Sequence, residues 1–194
     1  MSHQQSELKK PEEWTFEDKD IRPFFRHITT HSPDGQAIFS DAIPAPAPAQ
    51  TLPDGAQFCL LYATNTFPVD FSKDVPDYAN YLEKPPGVTI STGSVCRVVD
   101  MRPGALSPMH RTVSLDYGVV IEGEVEIVLD SGETRKLSRG DVVIQRGTMH
   151  AWRNLSPDKW ARMLYVLVPA EKIIAGEKEL GEDTGTIPGI RASD

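Results

Sequence analysis

The feature that most constrains the fold is a rapid succession of short apolar segments in the second half of the chain. From residue 94 onward SVCRVVDM, LDYGVVI, EVEIVL, DVVIQ, HAWRN and MLYVLV follow one another, with glycine-containing turns such as DSGE between them. Strands of this length and spacing are typical of an all-β sandwich or barrel. Closing such strands into a barrel or a double-sheet roll removes most exposed edges. The pattern therefore predicts an all-β roll over residues 94–169.

Polar residues recur at fixed intervals inside this region. Gly104 is followed after five residues by His110, then come Thr112 and Asp116, and Gly123 follows after six more. This run resembles the first motif of the cupin superfamily, Gly, five residues, His-x-His, three or four residues, Glu, six residues, Gly. Thr112 stands where the motif has its second histidine, and Asp116 stands where it has glutamate.

A second run resembles the second cupin motif, which ends in Gly-x-x-His-x-x-x-Asn. Gly147, His150 and Asn154 fit this ending, whereas Gly140 opens the motif one residue closer than usual and Gln145 stands where proline is common. The runs HRTVSLDYGVVIEGE and GDVVIQRGTMHAWRN are also similar to those of small single-domain cupins. Some of those proteins look like accessory enzymes of secondary metabolism or of aromatic breakdown.

The resemblance implies a cupin jelly-roll barrel whose inward positions converge on one cavity. It also implies a metal held by His110, Asp116 and His150, because two imidazoles and one carboxylate form a facial triad that suits Fe(II) and would also accept Zn, Mn or Ni. Two departures weaken this ligand set. The hydroxyl of Thr112 is a weak donor to a divalent metal, and the aspartate side chain is one methylene shorter than the glutamate of the motif.

Three interpretations of these residues therefore stay open. In the first, a divalent metal is bound by His110, Asp116 and His150. In the second, the cavity is metal-free and a histidine acts as acid or base beside Asp116. In the third, the three side chains are hydrogen-bonded polar groups of the core with no chemistry.

Four further residues are candidates for substrate binding. Thr112 is expected near the cavity, and Trp152 shares the strand face of His150 because side chains alternate with period two. Tyr165 could bring a hydroxyl to the cavity, and Arg146 could bind a substrate carboxylate. The same alternation predicts that the neighbours of the site residues, Arg111 and Tyr117, point away from the cavity.

The rest of the chain is predicted to surround the barrel. Residues 1–93 form a β-rich extension, with a polar stretch at 1–20, a hairpin around SPDG, an extended arm at AIPAPAPAQ and a short helix at DYANYLEK. Proline in alternate positions excludes helix from the arm and disfavours a central strand. Residues 170–194 are predicted to be a short C-terminal helix, from AEKIIAGEKEL, and a tail. Because the arm is poorly suited to packing on so small a barrel alone, we expect a homodimer.

Composition narrows the classes of partner. The net charge of −8 and the pI of about 5.1 argue against nucleic-acid binding, because an acidic surface repels phosphates. No apolar run is long enough to span a membrane, and the polar N-terminus does not resemble a secretory signal. A cytoplasmic protein with a small-molecule substrate and no membrane partner is expected.

Three functions are compatible with these features. A lyase or isomerase would dehydrate, decarboxylate or rearrange an oxygenated polyketide-like, β-keto acid or aromatic molecule, which requires only a histidine, a carboxylate and at most one Lewis-acid metal. An Fe(II)-dependent dioxygenase would require an intact metal triad. A non-catalytic small-molecule binding protein would require only the cavity. The absence of the second motif histidine favours the lyase or isomerase over the dioxygenase.

Overall fold

Nearly all the regular structure in this protein is β-strand. The computed structural model describes residues 21–184, 190, 192 and 193, and the predicted polar stretch at 1–20 lies outside them. In chain order the elements are β1 (Thr29–His31), β2 (Ala37–Phe39), β3 (Ala49–Thr51), β4 (Gln57–Ala63), α1 (Asp74–Glu83), β5 (Val95–Met101), β6 (Ser114–Glu122), β7 (Glu124–Leu129), β8 (Thr134–Ser138), β9 (Val142–Arg146), β10 (His150–Asn154), β11 (Ala161–Pro169), β12 (Ile173–Ala175) and β13 (Lys178–Leu180).

Two antiparallel sheets form the roll. The larger has the strand order β3-β4-β5-β11-β6-β9, and the smaller has the order β10-β7-β8. Buried side chains from both sheets pack together in one apolar cluster, among them Met101 and Met163 from the large sheet and Ile127 and Trp152 from the small sheet. The predicted all-β roll is confirmed. The large sheet extends beyond the predicted core boundary at residue 94, because it includes β3 and β4.

The pairing of β11 with both of its neighbours decides which side chains face the inside of the roll. Tyr165 lies opposite Arg97 on β5 and opposite Gly118 on β6, and Leu167 lies opposite Asp116. Residues directly opposite each other in a sheet share a face, and alternate residues of a strand share it too. These five residues therefore lie on the same inward face of the large sheet.

The outer face of the large sheet is covered by the N-terminal segment of the same chain. Phe24 packs against a buried cluster that contains Ala47, Cys59 and Val98. The backbone N–H of Ala47 donates to the carbonyl of Phe24 at 3.1 Å. The alanine- and proline-rich arm is thus extended along its own barrel and ends in β3, a strand at the edge of the sheet, where proline nearby is tolerated.

The predicted short helix at DYANYLEK is confirmed as α1, and it packs through a fully buried tyrosine. The hydroxyl of Tyr78 donates to the carbonyl of Leu60 on β4 at 2.8 Å. The predicted hairpin around SPDG is confirmed as β1 and β2, although β1 covers only Thr29–His31 of the predicted strand. Within the described residues, no helix is both long and apolar enough to cross a membrane.

The predicted C-terminal helix at AEKIIAGEKEL is wrong. Residues 173–180 instead form a hairpin in which Ile173 pairs with Leu180 and Ala175 with Lys178. Gly176 at its two-residue loop has a φ of +63°, a left-handed conformation that glycine adopts without steric cost. A glycine followed by another residue between two strands is a hairpin signal, whereas glycine inside a helix lowers its stability.

A buried ion pair ties the N-terminal segment to the outer face of the large sheet. The Nε and Nη2 atoms of Arg162 donate to the two carboxylate oxygens of Asp100 at 2.6 and 2.7 Å. The Nη1 atom donates to the carbonyl of Arg22 at 2.8 Å, and the guanidinium lies 5.1 Å from the ring centre of Phe24. A two-oxygen pairing of this kind holds the guanidinium in one orientation.

We expect Asp100→Asn to lower the free energy of unfolding by about 3 kcal/mol, because it leaves the guanidinium of Arg162 buried without its counter-ion. Urea denaturation monitored by circular dichroism measures this loss. The matched control is Glu124→Gln, which removes the carboxylate of an exposed pair with Lys136 and should leave the midpoint nearly unchanged. Equal midpoints for the two variants would show that the buried pair does not fix the segment.

Candidate active site

A cavity of about 310 Å³ lies between the two sheets. Most of its wall is apolar and includes Phe58, Val99, Met101 and Leu106. Its polar lining is Arg97, Ser107, His110, Thr112, Asp116, His150 and Tyr165, together with Asp54 and Arg102. A small apolar cavity with a few converging polar groups is the usual form of a small-molecule site. The predicted N-terminal extension contributes to it as well, because Leu52 and Val88 line the same space.

The two histidines meet because the segment before β6 pairs with β10. The backbone N–H of His110 donates to the carbonyl of His150 at 2.8 Å, and the reverse bond is 2.9 Å. Their ring centres are 4.3 Å apart. Two residues that exchange both backbone hydrogen bonds lie directly opposite each other, and their side chains point to the same side of the strands. The sequence-predicted meeting of the two imidazoles at one cavity is therefore present in the structure.

A separate hydrogen bond from each ring to a backbone carbonyl sets its tautomer. Nδ1 of His110 lies 2.9 Å from the carbonyl of Pro108, and Nδ1 of His150 lies 2.9 Å from the carbonyl of Thr148. A carbonyl oxygen only accepts, so each Nδ1 carries the proton. In a neutral ring Nε2 is then the proton-free acceptor.

Burial keeps both rings neutral. Loss of water lowers the pKa of His110 below its ordinary value. It lowers the pKa of His150 to about 3, with a further contribution from the adjacent His110, since two imidazolium charges repel each other. His150 is only 3% exposed. At neutral pH the pair therefore presents two uncharged imidazoles.

Asp116 approaches the cavity from the large sheet and belongs to a chain of hydroxyls. The hydroxyl of Ser114 lies 2.5 Å from Oδ1 of Asp116 and 2.7 Å from the hydroxyl of Thr112. Burial raises the pKa of Asp116 to about 6, although the Ser114 hydroxyl and the charge of Arg97 act in the opposite direction. The carboxyl group thus exchanges its proton close to neutral pH, while the imidazoles stay uncharged.

Arg97 is a site residue that the sequence analysis missed. It is only 6% exposed. Its Nη2 atom donates to the carbonyl of Gly87 at 2.8 Å, and its guanidinium lies 5.3 Å from the ring centre of Phe58 in a cation–π contact. Burial lowers the pKa of Arg97 to about 10, so it stays charged at neutral pH, and the charge of Asp116 opposes the shift. The available signal was a lone arginine at an inward position of the apolar strand VCRVVDM.

Trp152 and Tyr165 form an aromatic wall beside the histidines. The ring centre of Trp152 is 5.6 Å from that of His150 and 5.5 Å from that of Tyr165, both edge to face. A Cβ at Gly118 would lie 3.1 Å from the ring of Tyr165, so glycine there makes room for it. Burial, with the charge of Asp116, raises the pKa of the Tyr165 hydroxyl well above its ordinary value.

The residues present do not fit the metal site that the resemblance implied. No group of three or more His, Cys, Asp or Glu side chains within the described ranges is arranged to hold a metal ion. His110 and His150 supply two nitrogen donors. Asp116 lies on β6 of the large sheet, across from the histidines, and is not grouped with them as a third ligand. Thr112, at the second histidine position, belongs to the same hydroxyl chain rather than to a ligand set.

Arg146 requires a correction, because it lies outside the cavity. On β9 the alternation of side chains turns Gln145 inward and leaves Arg146 exposed. Arg111 and Tyr117 also lie away from the cavity, as predicted. The Nε of Arg111 donates to the carbonyl of Gly181 at 2.8 Å, and Tyr117 is exposed. Of the four predicted substrate-binding residues, the structure brings Thr112, Trp152 and Tyr165 to the site.

Comparisons with known proteins agree with this architecture. A family model described as "Cupin domain" matches residues 97–167. Phomopsin biosynthesis cluster protein C' of Diaporthe leptostromiformis is 48% identical over 171 residues, which cover 87% of this chain and 90% of that protein. The cupin-domain-containing oxidoreductase virC of Hypocrea virens is 38% identical over 170 residues, which cover 87% of each protein. The Schizosaccharomyces pombe Cnp3 cupin domain is a similar solved structure, 14% identical with a TM-score of 0.47, covering 76% of this chain and 89% of that chain.

The matched family region carries Arg97, His110, Asp116, His150 and Tyr165 on its strands and the segments between them. The relatives match nearly the whole length of both proteins at identities well above the level at which folds are shared. On these grounds this chain belongs to the cupin superfamily.

Proposed function

We propose that this protein is an enzyme of secondary metabolism that moves protons on an oxygenated small molecule, as a lyase or isomerase. The observation that carries the proposal is the pair of buried, uncharged imidazoles in the same cavity as an aspartic acid whose pKa is raised. Substrates of this class are polyketide-like molecules, β-keto acids or aromatics. The setting in secondary metabolism is supported by relatives whose names place them in the phomopsin and oryzines biosynthesis clusters.

The arrangement supports a division of roles between base and acid. Nε2 of His150 accepts a proton from a carbon next to a carbonyl, because Nδ1 already donates to Thr148. A negative charge that the substrate brings into the cavity raises the basicity of the imidazole at that moment. Asp116, when protonated, returns a proton to a departing hydroxyl or to the neighbouring carbon. Removal of one proton and return of another completes either a dehydration or an isomerisation.

A second candidate is an oxidoreductase, as an Fe(II)-dependent dioxygenase. Four relatives, virC among them, are named as cupin-domain-containing oxidoreductases. This candidate requires a metal site, and the described side chains supply a histidine pair rather than three ligands. A third candidate, a non-catalytic binding protein, requires only the cavity. Oxygen consumption, proton exchange and simple binding are three separate readouts that tell these functions apart.

We expect His150→Ala to abolish proton transfer while the protein stays folded, because it removes the proton acceptor. Asp116→Asn should retain measurable exchange, since it leaves the proton acceptor in place and the loss of a general acid typically costs about 10²–10⁴-fold. The measurement is deuterium incorporation from solvent into the α-carbon of a panel of small β-keto acids and aryl ketones, followed by proton NMR.

Arg146→Met is the control for this assay, because Arg146 lies outside the cavity. Its rate should match that of the wild type. Equal losses in Asp116→Asn and His150→Ala would make Asp116 the base and reverse the assignment. A wild type that binds these molecules but exchanges no proton would favour the binding protein, and one that consumes oxygen would favour the dioxygenase.

The neutral state of His150 predicts a specific dependence of stability on pH. Its pKa is about 3 in the folded chain and about 6.5 in an unfolded chain. Between these values the unfolded state binds the proton and the folded state does not, so stability falls as the pH falls from about 6.5 toward about 3. From about pH 7 to about pH 5 this group alone should lower the unfolding free energy by about 2 kcal/mol.

The corresponding test compares the wild type with His150→Gln by urea denaturation at about pH 7 and about pH 5. The variant should lose less stability than the wild type on acidification, because position 150 no longer titrates. Subtracting the two proteins cancels the effect of Asp116, whose raised pKa acts in the opposite direction. Identical losses would mean that the imidazole is not kept neutral by the fold.

We also propose that the protein is a homodimer through its N-terminal hairpin, where Ile38 and Phe39 of β2 are exposed, Phe39 by 71%. Light scattering on the full-length protein should give the mass of two chains. Phe39→Ser should shift the equilibrium toward one chain, because it removes apolar area from the contact. A full-length protein with the mass of one chain would refute the proposal.

A further inference from the structure

Arg97 is a buried cation without a buried anion bonded to it. Among the described residues no acidic side chain forms an ion pair with it, and Nε has no hydrogen-bond partner. A hydrogen bond of 2.8 Å from Nη2 to the carbonyl of Gly87 holds the group in place. An isolated buried charge is strongly unfavourable unless a counter-charge completes it.

Asp116 does not fill that role. It affects Arg97 only through its charge, and its own hydrogen bond is to the hydroxyl of Ser114. A carboxylate firmly paired with a guanidinium would have a pKa below its ordinary value, whereas that of Asp116 is raised. The guanidinium thus keeps donor capacity for a group that enters the cavity.

The surroundings of Arg97 restrict what that group can be attached to. Phe58 stacks on the guanidinium, and Val99, Leu167 and Leu52 line the adjoining wall. Such a wall binds an apolar or aromatic body and disfavours a second charged group next to Arg97, because these four side chains offer it no hydrogen bond. The planar guanidinium matches the two oxygens of a carboxylate.

We infer that Arg97 binds the carboxylate of a small monocarboxylic acid with an apolar or aromatic body, and so selects acids over neutral molecules. The anchoring point lies on the large sheet, on the same face as Tyr165 and Asp116. The histidine pair reaches the cavity along β10 of the small sheet. The acid is therefore held between the sheets. This inference rests on the proposed function, for which it names the substrate class.

The test uses phenylacetate and its neutral isostere phenylacetamide as probes, titrated into full-length protein and followed by ligand-observed NMR. Phenylacetate should bind at least about tenfold more tightly than phenylacetamide, which is the range expected for charge-assisted hydrogen bonds. Arg97→Met should remove this preference, and Arg97→Lys should restore only part of it, because lysine lacks the planar fork. Arg146→Met, an exposed arginine outside the cavity, should bind phenylacetate as the wild type does.

The comparison of the two probes on the wild type needs no variant, so it decides the matter even where Arg97→Met fails to fold. Equal affinity for the acid and the amide, no saturable binding of phenylacetate, or unchanged binding in a folded Arg97→Met would each overturn the inference. Acid-selective binding without deuterium exchange in any probe would refute the proposed reaction and leave the anchoring role intact. Proton exchange with no preference for acids would refute the anchoring role of Arg97 and leave the proposed reaction intact.

Discussion

The register of the central strand β11 is the constraint on which the site depends. Because Tyr165 pairs with Arg97 on one side and with Gly118 on the other, the side chains of three strands are fixed on one face. A slip of one residue would turn every one of these groups to the outer face. There the space is already taken by Phe24, Val98 and the ion pair of Asp100 with Arg162. The outer face thus holds the register that assembles the inner one.

Desolvation is the common cause of the electrostatic properties of the cavity. The same loss of water keeps His150 uncharged, makes the proton of Asp116 available near neutral pH and leaves Arg97 as a cation with little solvation. These effects oppose folding, since each disfavours the charged form of a buried group. They suit a site that exchanges protons and binds an anion. Chemistry and stability therefore make opposite demands on the same few residues.

How much the sequence predicts depends on how local the signal is. The motif spacing predicts the meeting of His110 and His150, because backbone pairing of two nearby segments is enough to produce it. Asp116 reaches the cavity as predicted but does not join the histidines, since it lies on the large sheet, where its carboxylate accepts from the hydroxyl of Ser114. No motif marks Arg97. Its importance comes from the fold, because no acidic side chain among the described residues forms an ion pair with its buried guanidinium.

The two misplaced features have equally physical reasons. The charge of Arg146 suggests a carboxylate-binding role, yet the alternation of side chains along β9 turns Gln145 inward and leaves Arg146 in solvent. The C-terminal helix was predicted from spaced apolar residues, but Gly176 adopts a left-handed conformation and the segment pairs with itself. Periodicity over so few residues does not separate a weak helix from a hairpin. A glycine flanked by two short apolar or charged runs was the better guide.

The central claim is that two uncharged imidazoles offer Nε2 to the cavity, and long-range nitrogen–proton NMR of the histidine rings tests it most directly. At neutral pH both rings should be protonated on Nδ1 alone, because each Nδ1 donates to a backbone carbonyl. The signals of His150 should not titrate until the pH is far below the ordinary histidine range. A ring protonated on Nε2, or a titration of His150 near about pH 6.5, would contradict this claim.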